Sequence, residues 1–456
     1  MRIVIDLQGA QTGSRFRGIG RYSISLALAM VRNGENHEFW LVLNSAFPES
    51  IIDIKHVFAG VIPEERICIF KVPCYLGRYD GKYSWENRAV ELIREYFLHT
   101  LKPDVVHISS LFEEHINFSV SIGEFASCVL TAVTLYDLIP LFNQDSYLPT
   151  KLQQDIYFRK IKFLKKADLL LSISENSRRE AINGLSIHKK NIVNISSAVD
   201  VMFKPLNLKE WQIERLRAKY GLTRRIVMYA PGGFDSRKNI GGLIDAYSKL
   251  PSKLRDQHQI VLASKVTNEQ KKLIGMLRKK AGLKRDEVVI TGYVPDNDLV
   301  ELYNISTLFV FASKYEGFGL PVLEAMACGA PVIASNQTSI PEIIRLESAM
   351  FDPFSIPSMS QKLEQALVCD NFRKELFKNN IARVKEFSWD ESAKKAIRNI
   401  EVLYENRVTN SVARLITYDD LIKKLTEIAE GDYVTDLDLV LCAEAIDINQ
   451  KTLRIF

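Results

Sequence analysis

Short apolar runs rich in β-branched residues recur along the first half of the chain: RIVIDL from Arg2, EFWLVLN from Glu38, RICIFKV from Arg66, DVVHIS from Asp104, VLTAVTL from Val129, DLLLSIS from Asp168 and NIVNISS from Asn191. The second half continues the series with IVMYA from Ile226, QIVLAS from Gln259, EVVITG from Glu287, TLFVFAS from Thr307 and PVIAS from Pro331. These runs are hydrophobic throughout rather than alternating, so each predicts a strand covered on both faces. Between them stand segments with helical spacing, such as YSISLALAMVRN, LIDAYSKL, LVELYNIS and KLEQALV. Strand–helix alternation predicts an α/β protein with parallel sheets. The strands are too many for one sheet of usual size, so two doubly wound, Rossmann-like domains are expected.

The boundary between them is placed in AVDVMFKPLNLKE, residues 198 to 210, where one strand series ends, Pro205 interrupts and the charged helix EWQIERLRAKYG begins. The expected division is a first domain over 1–205 and a second over 206–387, followed by a long helix over 388–406 from FSWDESAKKAIRNIEVLYENR. Residues 407–456 are less regular, with two amphipathic segments, and read as a helical extension or a linker. The closing TLRIF is apolar and strand-like; it is expected to lead into further chain, although a short docked C-terminus would look the same.

Composition narrows the function classes. Over 456 residues, 47% are hydrophobic and 25% charged, the balance of a soluble globular protein. The net charge of +5, from 60 basic and 55 acidic side chains, is too small for a dedicated nucleic-acid binder, so no nucleic-acid partner is expected. Cys68, Cys74, Cys128, Cys328, Cys369 and Cys442 show no C-x-x-C spacing and are read as reduced core residues of a cytoplasmic protein. MRIVIDL opens as a strand, without the charged and apolar regions of a signal peptide. No apolar run reaches the roughly 18 residues of a membrane span. Any membrane contact is therefore expected to be peripheral, at the inner face; the basic helix KLQQDIYFRKIKFLKKA is the segment that could rest on anionic lipid, with an ordinary solvated face as the plain alternative.

In parallel α/β sheets ligands collect beyond the carboxyl ends of the strands. TLFVFAS is followed there by KYEGFGLPVLEAMACG. Gly317 and Gly319 let the backbone turn and approach a ligand, Pro321 suits the start of a helix, and Gly329 with Pro331 ends it. Free N–H groups at such a helix start suit a diphosphate. Glu316 precedes the loop, and Glu324 is expected in the first helical turn, neither with an evident partner. The plain alternative is a dipole-favoured acid at Glu324 and a solvated loop acid at Glu316. After IVMYA comes PGGFDSRKNI, which sets Arg237 and Lys238 at a strand-to-helix turn on the same predicted sheet edge. A guanidinium fork and a mobile ammonium suit phosphate oxygens; a solvated pair is the plain alternative.

Taken together, E-G-F-G-L-P-x-L-E-A-M-A-C-G-x-P-V-I-A-S resembles the E-x7-E signature of retaining GT-B glycosyltransferases of family 4, and the order of strands is similar over roughly residues 1 to 405. The resemblance implies two Rossmann-like domains facing across a cleft, the first taking the acceptor and the second the nucleotide sugar, with the helix from Trp389 crossing back to the first. It implies that Glu316 contacts hydroxyls of the donor sugar, Glu324 the ribose, and the backbone of Phe318, Gly319 and Leu320 the diphosphate or sugar. Arg237 and Lys238 match the basic pair that neutralises the leaving diphosphate. RGIGRY, with Gly18 and Gly20, is similar to the family's glycine-rich loop after the first strand, although as a dinucleotide fingerprint it lacks its last glycine. His107 and the pair Ser174–Glu175 match weaker family positions, with a satisfied strand-end histidine and a helix cap as equal alternatives. YDLIP keeps Asp137 at a catalytic position but has Tyr136 where the family commonly has histidine. A phenol there can hydrogen-bond an acceptor hydroxyl but is no base near neutral pH.

Breaking an anomeric bond to a nucleoside diphosphate leaves an oxocarbenium-like carbon and new charge on phosphate. D-x-D pairs that hold a metal in other enzymes occur only at Asp296/Asp298 and Asp436/Asp438, and both are read as decoys. No catalytic metal or other cofactor is expected, because Arg237, Lys238 and the helix start supply the stabilisation. The resemblance implies retention by front-side attack, with the departing phosphate taking the acceptor's proton. RGIGRY, YDLIP and GGFDSRKN together resemble bacterial mannosyltransferases of O-antigen and other surface polysaccharides. That implies GDP-mannose as donor, a UDP- or ADP-glucose-type donor as the alternative, and a lipid-linked glycan as acceptor. Such assemblies carry transferase modules in tandem, so a further module beyond residue 456 is an expectation. The competing classes are a nucleotide-sugar-binding scaffold without turnover and an NAD-dependent dehydrogenase.

Overall fold

A computed structural model describes residues 1–16, 18–71, 85–113, 118–125, 129–408, 417–429, 442 and 444–447. Each apolar run noted above forms a strand: β1 (Arg2–Asp6), β2 (Glu38–Asn44), β3 (Ile67–Phe70), β4 (Val105–Ile108), β5 (Leu130–Leu135), β6 (Leu169–Ser172) and β7 (Ile192–Asn194), then β8 (Arg225–Tyr229), β9 (His258–Leu262), β10 (Val288–Ile290), β11 (Leu308–Phe311) and β12 (Val332–Ser335). One further strand, β13 (Met350–Phe351), is too short to show as an apolar run.

The chain divides into two compact units. The first comprises Met1–Ile173, Ser177–Ser196 and the described residues from Trp389 onward. Its seven strands among the described residues are all parallel, in the order β3-β2-β1-β4-β5-β6-β7, so the winding reverses between β1 and β4. Beside that reversal a buried ion pair fixes the helix Trp85–Thr100 to the sheet: Arg94 Nε lies 2.8 Å from Asp6 Oδ2, and both side chains are 1% exposed. The helix Trp389–Val408 packs on the helix Gly18–Asn33, with the Trp389 and Tyr22 rings edge-on at 4.9 Å and Asn33 Nδ2 donating to Asp390 Oδ1 at 2.7 Å. The described part of 407–456 is docked rather than a free linker. Leu421, Leu425 and Ile428, on one face of the helix Tyr418–Ala429, are buried in the same core as Trp85, Ile93 and Phe97.

The second unit comprises Ser174–Asn176 and Ser197–Ser388. Its six parallel strands run β10-β9-β8-β11-β12-β13, with the winding reversing between β8 and β11. The division falls at Ser197 rather than after residue 205, because the intervening segment is fastened to this unit. Phe203 packs edge-on to Tyr303 at 6.1 Å, and Asn304 accepts from Leu206 N–H at 2.7 Å while donating to the Lys204 carbonyl at 3.1 Å.

One further expectation changes, that all the cysteines are core residues. Cys68, Cys328 and Cys442 are buried free thiols, but Cys369 is exposed, because it caps the helix Asp370–Val384 by accepting from Phe372 N–H at 3.4 Å; Cys74 and Cys128 lie outside the described residues. In the helix Lys151–Lys166, Arg159 pairs with Glu91, Lys166 with Glu124, and Lys160 donates to the Glu113 carbonyl at 2.8 Å, while Lys162, Lys165 and Lys166 are exposed. Among the described residues no helix is long and apolar enough to cross a membrane.

Candidate active site

The reversal between β8 and β11 brings two loops of the second unit together. After β8 the chain passes Gly232 and Gly233 into a single turn, Ser236–Lys238, whose backbone is held from two sides. Tyr229 Oη donates to the Lys238 carbonyl at 2.5 Å, and Lys314 N–H donates to the Arg237 carbonyl at 2.8 Å. The next residue, Asn239, sits at φ +54° and spans to the far side, its Nδ2 donating to the Ala312 and Pro353 carbonyls at 3.2 and 2.8 Å.

After β11 the loop carrying Glu316 leads into the helix Leu320–Ala327. Gly319 caps that helix at φ +117°, a conformation that favours glycine, and a Cβ there would stand 2.6 Å from Ile340 Cδ1, which would have to shift. The loop is pinned by residues the sequence did not single out. Ser339 Oγ lies 3.0 Å from the Glu316 carbonyl and 2.6 Å from the Phe318 carbonyl, and Thr338 Oγ1 accepts from Glu316 N–H at 3.1 Å. The Phe318 ring is buried against Phe387, so only its backbone is available to a ligand.

These loops assemble an ion triad. Arg237 Nη1 lies 2.7 Å from Glu316 Oε2, and Lys238 Nζ lies 2.6 Å from Glu316 Oε1. Each carboxylate oxygen thus takes one cation. Arg237 also donates to the Tyr315 carbonyl at 2.9 Å, and its Nε lies 3.2 Å from Asp235 Oδ1. Glu316 and Lys238 are 8% and 6% exposed, which removes the solvated-pair alternative and makes Lys238 a fixed rather than a mobile charge. Burial pushes the Glu316 carboxyl up, but Lys238 and Arg237 outweigh it and hold its pKa below the usual carboxylate range.

Glu324 is the fifth residue of its helix, in the second turn; the first turn holds no acid, so helix-dipole placement does not explain it. It is 8% exposed and accepts from Tyr303 Oη, on the helix Asp296–Ile305, at 3.0 Å. Burial, reinforced by Glu324, pushes the neighbouring Cys328 thiol up to about 12. Asp298 is engaged structurally, by Lys219 Nζ at 2.5 Å and Tyr220 Oη at 2.6 Å; Asp436 and Asp438 lie outside the described residues.

Apart from Ser174 and Glu175, the remaining predicted residues belong to the first unit. Gly18 and Gly20 lie in the first turn of the helix Gly18–Asn33, not in a loop. A Cβ at Gly20 would fall 2.6 Å from the Ser14 carbonyl oxygen, so that glycine permits close packing on the preceding turn. His107 lies within β4 and is 1% exposed, its Nε2 2.9 Å from Thr134 Oγ1. Burial, only partly opposed by Asp6, lowers its pKa to about 4, as for a core histidine, one whose buried Nδ1 has no hydrogen-bond partner among the described residues. Tyr136 Oη lies 2.8 Å from Ser23 Oγ and donates to the Ile19 carbonyl at 3.2 Å. Burial raises its pKa well above the usual phenol range despite the Ser23 bond, so it is no base. Asp137 Oδ1 accepts from Ile139 N–H at 3.0 Å. Ser174 directly precedes the helix Glu175–Leu185.

Residues 212–383, which contain the triad, the Gly319 loop and Glu324, match the family of glycosyl transferases group 1. The chain carries a group 1 glycosyltransferase domain. The Escherichia coli serotype-specific mannosyltransferase WbdA is 35% identical to this chain over 408 residues, 89% of this chain and 48% of WbdA. The chain therefore spans about half the length of the WbdA proteins it matches. The Escherichia coli O-antigen chain mannosyltransferase B is 28% identical over 85% of this chain and 96% of its own. Among solved structures, Anabaena HepE in complex with UDP and glucose matches with a TM-score of 0.63 at 16% identity, over 88% of this chain and 100% of its own. At that identity the likeness is one of fold, the two Rossmann-like units of the GT-B glycosyltransferases.

Proposed function

We propose that this glycosyltransferase moves mannose from GDP-mannose to a lipid-linked glycan acceptor in surface-polysaccharide synthesis, with retention of configuration and without a metal. The observation that carries the reading is the triad: two fixed cations beside a glycine-capped helix start, at the carboxyl ends of β8 and β11. A leaving diphosphate develops charge at such a place, and preorganised cations and N–H groups stabilise it without reorganising. The mannosyltransferase relatives support the sugar.

In this scheme the bond between C1 and the phosphate oxygen breaks, and its electron pair leaves with the diphosphate held by Arg237 and Lys238. The acceptor hydroxyl oxygen bonds to C1 from the same face, and its proton passes to the departing phosphate oxygen. Glu316 takes sugar hydroxyls and Glu324 the ribose. No protein base is required, in keeping with Tyr136 and His107 as found.

The test is transfer from GDP-mannose, UDP-glucose and ADP-glucose, each in EDTA, to a mannose-terminated lipid-linked glycan, with the product anomer read by proton NMR. Release of GDP with an α-mannosyl product is expected. Transfer only from a uridine or adenosine donor, an inverted anomer, or strict dependence on added divalent ion overturns the corresponding part of the proposal.

A further inference from the structure

The triad raises a difficulty for the site as proposed: its cations are already taken. Glu316 meets Arg237 with one oxygen and Lys238 with the other, at 2.7 and 2.6 Å, and Asp235 lies 3.2 Å from the other side of the guanidinium. Two positive and two negative groups leave the cluster formally neutral, a poor attractant for a diphosphate. Burial sharpens this, since Glu316 and Lys238 have little water to fall back on when a partner leaves. Separating Lys238 from Glu316 is affordable only if another anion arrives as the carboxylate departs.

We propose that Glu316 is a built-in competitor of the diphosphate: it occupies Arg237 and Lys238 in the empty enzyme and yields them when a nucleotide sugar enters. The inference rests on the reading of this pair as the diphosphate site. Glu316 is well placed for such an exchange because its backbone is fixed at both ends, by Thr338 on the N–H and Ser339 on the carbonyl. Only its side chain needs to turn. The released carboxylate then accepts sugar hydroxyls, and once the sugar has been transferred it is free to reclaim the cations. Glu316 thereby favours product release as well as holding the sugar. The exchange also keeps Arg237 and the buried Lys238 paired throughout the cycle.

The discriminating experiment is calorimetric binding of GDP and of inorganic pyrophosphate to the whole chain, comparing wild type with Glu316→Gln, Arg237→Ala and Lys238→Ala. Glu316→Gln is expected to bind both probes about tenfold tighter or more, because a charged competitor has become neutral, and to lose transfer. Equal or weaker binding in Glu316→Gln, with binding lost in Arg237→Ala, overturns the competitor role and leaves the diphosphate site standing. Unchanged binding in Arg237→Ala and Lys238→Ala overturns both. Should Glu316→Gln fail to fold, a crystal structure of wild type with pyrophosphate decides. Lys238 Nζ bonded to phosphate with Glu316 turned away supports the exchange, and a triad intact beside the ligand overturns it.

Discussion

Tyr303 Oη donates to Glu324 Oε2 at 3.0 Å, joining two buried groups from different helices of the second unit. A buried carboxylate deprived of a donor bears its own desolvation cost. Tyr303→Phe is therefore expected to lower stability by about 1–3 kcal/mol in urea unfolding. Because it disturbs the acid assigned to the ribose, it should raise KM for the donor more than it lowers kcat. An unchanged KM would remove Glu324 from the donor site.

His107 gives the first unit a defined pH dependence. Its pKa is 6.5 unperturbed and about 4 in the folded protein, so between those values the unfolded chain binds more protons. Stability should rise with pH across that window and fall as acid is added, by on the order of 3 kcal/mol over its full width. Urea midpoints measured from pH 7 to pH 4 check this, and His107→Gln should flatten that part of the profile. An identical slope in the variant contradicts the assignment.

Tyr136 is expected to act through its hydrogen bonds to Ser23 and Ile19 and not through proton transfer. Tyr136→Phe should cost about 1 kcal/mol of stability while leaving the alkaline limb of the pH–rate profile in place. Loss of that limb would show that the phenol does exchange a proton.

Gly319→Ala tests the loop. At φ +117°, with Ile340 Cδ1 2.6 Å from the new methyl, the substitution should cost more than about 1 kcal/mol and depress transfer sharply. Pairing it with Ile340→Ala should recover part of the stability but not the part due to backbone conformation. Full recovery would mean that crowding alone was responsible.

Much of this architecture is legible in the chain because strands buried on both faces leave continuous apolar runs such as LFVF and VIAS. β13 escapes for the converse reason, since Met350–Phe351 is too short to make a pattern. The triad was half legible: Glu316 and the Arg237–Lys238 pair stand out by type and by position after strands. Their direct pairing, however, depends on how two loops 78 and 79 residues apart are pinned. Thr338, Ser339 and Asn239 do that pinning, and in sequence they look like ordinary turn residues. Glu324 falls just past the first turn rather than in it, because Gly319 and Pro321 mark roughly where the helix starts but not which residue first has helical geometry. RGIGRY reads as a loop from its glycines, yet Gly20 serves close packing at the start of a helix.

In the proposed mechanism, fixed cations at Arg237 and Lys238 take up the charge shed by the sugar's leaving group. Its most direct measurement is kcat/KM for glycosyl transfer by Arg237→Ala beside wild type, with unfolding curves to confirm an intact fold. A loss of about 100-fold or more, carried mainly by kcat, is the predicted result. Turnover equal to wild type in a folded Arg237→Ala protein would contradict it.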